Sequence, residues 1–301
     1  MTPTAVVTVG VFDGFHRGHA ALVSRARQRA DRANARLVVF SFDPHPEAVL
    51  AKVEARPRLA LPGEKAELLR EAGVDEFRVL RFSDSLAVKS PQTFLRDHVF
   101  PYYRLAALVV GYDFAMGRDR KGTVPVLSAM GRRFGFDVEA IEAARDGDVV
   151  VSSSAIRDAL AVGRLTDVER WLGRPYRLAG RVVSGEGRGK GLGFPTANVA
   201  VDDRKLRPER GVYVVRVSGG GLTRAPAVVN LGQRPTFGGG EEILEVHVLD
   251  FDGDLVGTRL ACDFGPRLRS EVKFNNVNEL KAQIQADVNR ARAVLGGGEI
   301  S

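Results

Sequence analysis

Residues 6–19 read VVTVGVFDGFHRGH, and this stretch decides the fold of the first half of the chain. It opens with apolar and β-branched residues, as a buried strand does, and a helical pattern of polar and apolar residues begins at Ala20. Between them lie Gly10, Asp13 and Gly14, residue types that favour tight turns. The stretch therefore predicts a strand, a tight loop and the start of a helix.

His16 and His19 at this junction predict a nucleotide site. The N–H groups at a helix start attract anions, and glycines let a phosphate approach the backbone. Two imidazoles three residues apart can add hydrogen-bond donors where negative charge gathers during phosphate transfer. An ordinary strand–helix unit could hold two histidines as loop and cap residues, but the string G-x-F-D-G-x-H-x-G-H favours the nucleotide site. No other histidine lies at helical spacing from this pair, which argues against zinc.

The string resembles the HxGH signature of the nucleotidylyltransferase superfamily, and residues 10–19 (GVFDGFHRGH) are similar to its flavin adenylyltransferase branch. The resemblance implies a Rossmann-like nucleotidylyltransferase domain with a parallel sheet, in which His16 and His19 are catalytic. It also implies that the loop binds ATP and its phosphates through Gly10, Phe12, Asp13, Gly14, His16 and His19.

Two further loops match the same branch, FDPHP at residues 42–46 and GYDF at residues 111–114. Each follows a predicted strand, at the edge where open α/β sheets bind ligands. The resemblance implies that these loops line the flavin substrate site through Asp43, His45, Asp113 and Phe114. Ala115 and Met116 depart from the branch, whose members tend to have a polar or basic residue and then Phe at these positions.

Residues 152–157 (SSSAIR) predict another helix start, because serine is a good N-cap. On that ground alone the segment could be a plain capped helix. It resembles the [ST]-[ST]-x-x-[IL]-[RK] helix start that the superfamily uses as its second phosphate-binding motif, with Ser154 in place of the commoner Thr. The resemblance implies contacts to the departing pyrophosphate from Ser152, Ser153, Ser154 and Arg157.

The periodicity predicts an α/β domain followed by a small antiparallel β-barrel. Strands at residues 36–42, 77–80, 105–110 and 136–141 alternate with helices at 20–35, 62–72, 91–99 and 124–134. Later strands are short and separated by turns, at residues 177–183, 211–218, 224–231, 244–249 and 259–264. A final helix capped by Asn278 should pack on the barrel through Leu280, Ile284, Val288, Ala291 and Leu295. The predicted domains are residues 1–175 and 176–301.

Residues 185–198 (GEGRGKGLGFPTAN) lie between the first two segments of the barrel. They are not a Walker A loop, because Gly191 follows Lys190 where Ser or Thr is required. The segment could be a cationic loop that faces phosphate or merely a long hairpin. The ending GFPTAN resembles the hallmark of riboflavin kinases, which implies ATP and phosphate binding by Gly187, Gly189, Lys190, Gly191, Gly193, Thr196 and Asn198. The oxygens of Thr196 and Asn198, two residues apart on an extended segment, suit Mg²⁺.

Two later stretches, residues 230–238 (NLGQRPTFG) and 244–251 (LEVHVLDF), also resemble riboflavin kinases. The resemblance implies that Glu245 is the general base for the 5′-hydroxyl of riboflavin; from the residues alone, Glu245 could equally be an outward-facing strand carboxylate. Val256 departs from the Tyr usual at its position. The basic residues of 267–274 (RLRSEVKF) fit the family's stretch before the last helix, or they could stay solvated.

Composition agrees with a protein that acts on small anionic molecules. The 301 residues are 44% hydrophobic and 27% charged, and the net charge of +7 is spread along the chain without a basic tail. We therefore expect small-molecule partners and no nucleic acid or membrane partner, with the oligomeric state left open. The N-terminus does not look like a secretory signal, and Cys262 as the single cysteine excludes an intramolecular disulfide. A cytoplasmic protein is expected.

Together the motifs resemble the prokaryotic bifunctional riboflavin kinase and FAD synthetase family over nearly the whole chain. The resemblance implies that riboflavin and ATP give FMN and ADP in the barrel, and that FMN and ATP give FAD and pyrophosphate in the α/β domain, with Mg²⁺ in both. Two alternatives remain open. One is a single-activity nucleotidylyltransferase with a non-catalytic barrel, against which GFPTAN and Glu245 argue, and the other is an OB-like nucleic-acid-binding protein.

Overall fold

The computed structural model describes residues 2–185, 189, 191, 193–233 and 242–296. The chain forms two compact units, Met1–Ser153 and Ser154–Ser301. The sequence predicts a boundary between the two functional domains at residues 175 and 176. That functional boundary stays a prediction. Within the described part of the chain, no helix is both long and apolar enough to cross a lipid bilayer.

The first unit contains a five-stranded parallel sheet in the order β3-β2-β1-β4-β7. The strands in chain order are β1 (Thr4–Val9), β2 (Arg36–Asp43), β3 (Glu76–Arg81), β4 (Arg104–Gly111), β5 (Ala115–Met116), β6 (Gly122–Thr123), β7 (Asp137–Ile141), β8 (Arg145–Asp146) and β9 (Val149–Val150). Successive residues of β1 point to opposite faces, so Val6 belongs to one hydrophobic core and Val7 to the other. Burial on both faces explains why the strand reads as a continuous apolar run.

Helices cover both faces of this sheet. The helices of this unit are α1 (Arg17–Arg32), α2 (Pro46–Ala51), α3 (Pro62–Glu71), α4 (Asp84–Ala87), α5 (Pro91–His98) and α6 (Val124–Phe134). Helix α7 (Ser153–Ala161) begins at the last residue of the unit, and α8 (Leu165–Leu172) belongs to the second unit. Val23 and Ala26 of α1 pack in the core that contains Val6, whereas Leu95 of α5 and Leu127 of α6 pack in the core that contains Val7.

Helix α1 begins at Arg17, three residues before the apolar pattern that predicted its start. His16 is the N-cap, since its Nδ1 accepts a hydrogen bond from the backbone N–H of His19 at 3.4 Å. The cap, rather than the first apolar residue, therefore sets where the helix begins.

The second unit contains a closed antiparallel barrel in the order β10-β11-β14-β13-β12-β15. Its strands are β10 (Tyr176–Val183), β11 (Ala197–Val201), β12 (Gly211–Gly219), β13 (Leu222–Gln233), β14 (Glu242–Val248) and β15 (Arg259–Arg269). The predicted strands all form, and the segment expected only as extended becomes β11. The predicted fold class, a parallel α/β sheet followed by a small barrel and a terminal helix, is confirmed.

The terminal helix, α9, runs over Val277–Gly296. Its N-cap is Asn276, whose Oδ1 accepts from the N–H of Glu279 at 2.9 Å, so the prediction that Asn278 caps this helix was wrong. The helix starts two residues earlier because Asn276 and Glu279 bond to each other as well, at 2.8 Å. The predicted stripe packs on the barrel: Val288 and Ala291 are buried against Val212, Val214, Val228 and Leu268.

Two candidate active sites

Buried groups fix the conformation of the loop after β1. The N–H of Gly10 donates to the carbonyl of Phe40 at 3.0 Å. Gly14 has a φ of 79°, and Phe12 and Phe15 have φ values of 53° and 40°, which side-chain-bearing residues rarely adopt. Phe12 is fully buried and Phe15 nearly so, and such backbone conformations persist only where packing holds them. Packing around Phe12 and Phe15 therefore holds the loop in this conformation.

The structure brings His16 and His19 together at the start of α1. Their rings stack with centroids 3.7 Å apart and planes 20° apart. Phe12 packs against His19 with ring centroids 5.1 Å apart. The Nδ1 of His19 is inaccessible to solvent and has no hydrogen-bond partner among the described residues. The pair thus places two polar rings directly beside the glycine-containing loop.

Burial lowers the pKa of His19 well below its ordinary 6.5, and the nearby charges of His16 and Lys65 lower the pKa further. His19 is therefore a neutral imidazole at neutral pH, with one nitrogen that donates a hydrogen bond and one that accepts. A neutral donor suits a site where a phosphate oxygen gains negative charge without a proton being transferred to it.

The depressed pKa predicts that the free energy of unfolding falls as the pH drops below 6.5. In the unfolded chain His19 takes up a proton near that pH, while in the folded chain it stays neutral, so acid favours the unfolded state. One such group contributes at most about 1.4 kcal/mol per pH unit. Urea denaturation at several pH values should show a smaller acid-side slope in His19→Gln than in the parent. Equal slopes in the two proteins would contradict the neutral state of His19.

Ser152 and Ser153, the part of the second predicted phosphate motif that belongs to the first unit, lie beside the loop after β1. The hydroxyl of Ser153, at the start of α7, donates to the backbone carbonyl of Asp13 at 2.9 Å. Ser152 directly precedes this helix, and Ser154 and Arg157 lie in its first turns. The Asp13 carboxylate is buried and accepts from the N–H groups of Leu59 and Ala60, at 3.3 and 3.1 Å. Asp13 therefore ties the segment at Leu59 and Ala60 to the loop. The expected contact of Asp13 with ATP stays a prediction.

A cavity of about 680 Å³ opens beside the loop, at the carboxyl ends of the parallel strands. Its walls are largely aromatic and aliphatic, and its lining includes Gly10, Phe42, Phe82, Phe94, Asp113, Phe114 and Met116. The lining also contains two cations, Lys89 and Arg120, and two carboxylates, Asp113 and Asp119. A guanidinium N–H of Arg120 donates to the carbonyl of Asp113 at 3.3 Å. A flat aromatic ligand would match these walls.

Asp43 and His45 lie next to residues of this cavity, but their side chains have other partners. Asp43 forms an ion pair with Arg58. The Nδ1 of His45 accepts from the N–H of Glu47 at 3.1 Å and so caps α2. Phe42 and Pro46, on either side of them in sequence, do line the cavity. A direct contact of Asp43 or His45 with substrate remains a prediction.

In the barrel, strand register gathers polar side chains around Glu245. Glu245 of β14 lies opposite Asn198 of β11 on one side and opposite Asn230 of β13 on the other. Residues directly opposite in antiparallel strands share a face of the sheet. The Nδ2 of Asn230 donates to Glu245 Oε2 at 3.5 Å. Sequence reasoning singled out Asn198 and Glu245 but missed Asn230, whose role depends on register.

Glu245 lines a cavity of about 370 Å³ rather than facing open solvent. The other polar groups of the lining belong to Thr196, Asn230, His247, Arg269, Glu271 and Asp287. The rest of the lining is mostly apolar and includes Val212, Val228, Phe274, Leu280, Ile284 and Val288. The Nδ1 of His247 lies 2.8 Å from the carbonyl oxygen of Pro195, which ties the segment before Thr196 to the strand of Glu245. A carboxylate thus stands at the edge of an apolar cavity.

Thr196 also borders a second cavity of about 460 Å³, which is lined in addition by Asn198, Val182, Phe251, Leu255 and Val256. Asn198 is 8% exposed, and its Oδ1 is buried with no hydrogen-bond partner among the described residues. A buried carbonyl oxygen without a partner is unfavourable unless a ligand meets it. Because hard oxygens are the ligands that Mg²⁺ prefers, this orphaned oxygen and the Thr196 hydroxyl fit the expected metal.

Glycine is required where the predicted phosphate loop passes close to this segment. A Cβ on Gly189 would lie 2.4 Å from the carbonyl oxygen of Phe194 and 3.1 Å from Thr196 Oγ1. Gly193 has a φ of 85°, and Gly191 has open space around it. Gly187 and Lys190, which were also predicted to bind phosphate, lie outside the described residues.

Comparison with known proteins matches both halves of the chain. The family model described as FAD synthetase matches residues 1–155, and the one described as riboflavin kinase matches residues 172–295. A bifunctional riboflavin kinase/FMN adenylyltransferase of Escherichia coli (strain K12) is 39% identical over 97% of this chain and 93% of its own length. The chain belongs to the bifunctional riboflavin kinase/FMN adenylyltransferase family. The protein of that name from Pseudomonas fluorescens is 41% identical, over 96% of this chain and 92% of its own length.

Among solved structures, a Streptococcus pneumoniae protein titled macrolide-efflux protein superposes with a TM-score of 0.88 at 32% identity. The superposition covers 97% of this chain and 95% of that one. The family predicted from the motifs is thus confirmed. Membership of the bifunctional riboflavin kinase/FMN adenylyltransferase family favours two activities over a single nucleotidylyltransferase or a nucleic-acid-binding barrel.

Proposed function

We propose that the chain carries out both reactions of its family at two separate sites. The barrel transfers the γ-phosphoryl group of ATP to riboflavin, and the α/β unit transfers AMP from ATP to the resulting FMN. The observation that carries the proposal is that each unit places a phosphate-suited group beside a flavin-sized cavity. These are the loop at His16 and His19 in one unit and Thr196 beside Glu245 in the other.

In the kinase reaction we assign Glu245 as the general base. Its carboxylate accepts the proton of the riboflavin 5′-hydroxyl as that oxygen bonds to the γ-phosphorus and the bond from this phosphorus to ADP breaks. Asn230, 3.5 Å from the carboxylate, orients it. The isoalloxazine ring would occupy the apolar part of the cavity, against Leu280 and Ile284 of α9. This arrangement puts the hydroxyl and the base together at the polar end.

We place the phosphates of ATP at Thr196, because this residue borders both cavities of the barrel. The nucleotide would then lie on the side of Asn198, and the flavin on the side of Glu245. Mg²⁺ would be held by the oxygens of Thr196 and Asn198, and it would neutralise charge on the phosphates. Glycines 189 and 193 let the backbone approach the phosphates closely.

In the adenylyl transfer we assign His16 and His19 to the α-phosphate of ATP. A phosphate oxygen of FMN bonds to the α-phosphorus, and the bond to pyrophosphate breaks. His19 would stabilise the charge that develops on the non-bridging oxygens by donating a hydrogen bond. The N-terminus of α7, with Ser152, Ser153 and Arg157, would bind the departing pyrophosphate. The flavin would lie in the aromatic cavity beside Phe42 and Phe114.

The partners that this function requires are ATP, riboflavin and FMN. Both reactions consume ATP, and we therefore place the chain in the cytoplasm, where ATP is plentiful.

Incubation of the purified chain with riboflavin, ATP and Mg²⁺ tests the proposal when every product is separated by chromatography. We expect FMN and ADP first, then FAD and pyrophosphate, and we expect EDTA to stop both steps. A second incubation starts from FMN, so that each step is measured independently. FMN that accumulates and is never converted would leave the kinase assignment standing but overturn the second activity. Riboflavin returned unchanged would overturn the kinase assignment.

A further inference from the structure

Lys65 is a buried cation for which the mechanism above has no use. It lies on α3 and is 4% exposed. Lysine is almost never so buried without partners, because its ammonium group loses its hydration. Here the Nζ donates to the backbone carbonyl of Val11 and to Ser41 Oγ, both at 3.0 Å. Ser41 in turn donates to the same Val11 carbonyl, also at 3.0 Å. Two buried donors therefore converge on one carbonyl of the nucleotide loop.

This carbonyl fixes the direction of the next amide. The peptide between Val11 and Phe12 is trans, so its C=O and N–H point in opposite directions. Because the carbonyl points at Lys65 in the interior, the N–H of Phe12 points away from it. Among the described residues, none accepts a hydrogen bond from this N–H. Because Phe12 is fully buried, this peptide lies inside the protein, and Lys65 and Ser41 fix its direction.

The same peptide leads into a strained residue. Phe12 has a φ of 53°, a left-handed conformation that is unfavourable for a residue other than glycine. Hydrogen bonds hold the residues on both sides of Phe12. Lys65 donates to the carbonyl of Val11, and the carboxylate of Asp13 accepts from the N–H groups of Leu59 and Ala60. Helix α3 and the residues just before it thus hold the loop in shape.

The position of the ammonium also matters electrostatically. Burial lowers the pKa of Lys65, and the charge of nearby Asp13 opposes this effect. The ammonium is close enough to His19 to lower the pKa of that imidazole. A positive charge beneath a loop that binds a triphosphate attracts it, and the low local dielectric strengthens the attraction.

We propose that Lys65 is a positioning residue for adenylyl transfer, which holds the Val11 carbonyl from the interior and so keeps the loop between β1 and α1 in the shape that receives the phosphates of ATP. The inference rests on the adenylyl transfer proposed above. It adds a residue that touches neither ATP nor FMN and acts through the backbone of the loop.

Lys65→Met keeps the length of the side chain and removes its charge and donors. We expect kcat for FAD formation from FMN and ATP to fall roughly 100-fold, because a shift of the loop by about 1 Å misplaces the groups that contact the phosphates. The KM for FMN should stay within about twofold, because Lys65 does not line the flavin cavity, and Lys65→Arg should recover part of the rate. Calorimetry should show roughly tenfold weaker binding of α,β-methylene-ATP. Lys52→Met, at an exposed position of the same unit, is the matched control and should behave like the parent.

Ser41→Ala is a second variant that tests the same carbonyl if Lys65→Met does not fold. It removes the other donor to Val11 with little change in volume, and we expect a severalfold fall in kcat for FAD formation. A kcat within threefold of the parent in folded Lys65→Met would overturn the proposal. A fall in kcat accompanied by an equal rise in the KM for FMN would overturn it too, since that marks general loss of structure. If the parent itself makes no FAD from FMN, the proposed adenylyl transfer fails, which is a separate and recognisable result.

Discussion

Replacement of Glu245 by glutamine is expected to lower the rate of riboflavin phosphorylation by about 10²- to 10⁴-fold. Glutamine keeps the size of the side chain and can still bond to Asn230, but it cannot accept the proton of the 5′-hydroxyl. The KM for riboflavin should change little, because the apolar walls of the cavity are untouched. Conversion of added FMN to FAD should proceed at the parental rate, because it uses the other unit.

Both rates are measured by chromatography, in one reaction started with riboflavin and another started with FMN. Asp203→Asn is the matched control: its side chain is 94% exposed and it pairs only at the surface, with Arg207, so both rates should equal those of the parent. Riboflavin phosphorylation within tenfold of the parent would remove Glu245 from the role of general base. A loss of both rates would instead point to misfolding.

Sequence reasoning succeeded where the determinants are close together in the chain. The strand, loop and helix at residues 6–19 follow from local composition, and the stacked pair His16 and His19 is contiguous with them. Strand β1 was recognisable because it is buried on both faces and its whole length is apolar or β-branched. Errors at element ends came from caps: Asn276 rather than Asn278 starts the last helix, because Asn276 and Glu279 satisfy each other's polar groups.

Site residues that depend on long-range register could not be predicted. Asn230 acquires its place from the pairing of β13 with β14, and the sequence alone does not specify that register. Phe94 and Lys89 reach the flavin-sized cavity only because the chain around α5 returns to the end of β1. A phenylalanine on a short helix or a lysine just before it carries no local sign of this, so composition could not have singled these two out.

The contacts of the basic stretch before the last helix could not be predicted from the sequence either. Solvation was one of two possibilities left open for these residues. In the structure Arg269 forms hydrogen bonds to both carboxylate oxygens of the buried Asp287, at 2.7 to 3.0 Å, and Arg267 pairs with Glu209. Since Asp287 lies on α9, the pairing exists only once that helix has docked on the barrel. A charge pattern alone cannot distinguish a solvated arginine from one that pairs with a carboxylate far away in the sequence.

Substitution of His19 by alanine is expected to abolish measurable FAD formation while FMN accumulates. The imidazole is held by stacking on His16 and by contact with Phe12, so its donor is fixed in direction before ATP binds. Loss of one such preorganised donor costs about 10²–10³ in rate, and His16 should move as well once its stacking partner is gone. The barrel does not use these residues, and the rate of riboflavin phosphorylation should therefore remain parental.

Quantification of riboflavin, FMN and FAD over time, with ATP and Mg²⁺ in excess, measures both steps in one reaction. His98→Ala is the matched control, since His98 lies on α5 of the same unit and packs against Phe94, and no hydrogen bond or ring contact among the described residues joins it to the loop after β1. It removes an imidazole of the same size, so a nonspecific effect of the truncation would appear in both variants. FAD formation by His19→Ala within tenfold of the parent would refute the role of His19. Loss of both steps in a folded His19→Ala protein would refute the separation of the two sites, because an imidazole in the α/β unit can affect riboflavin phosphorylation only if the reactions share machinery.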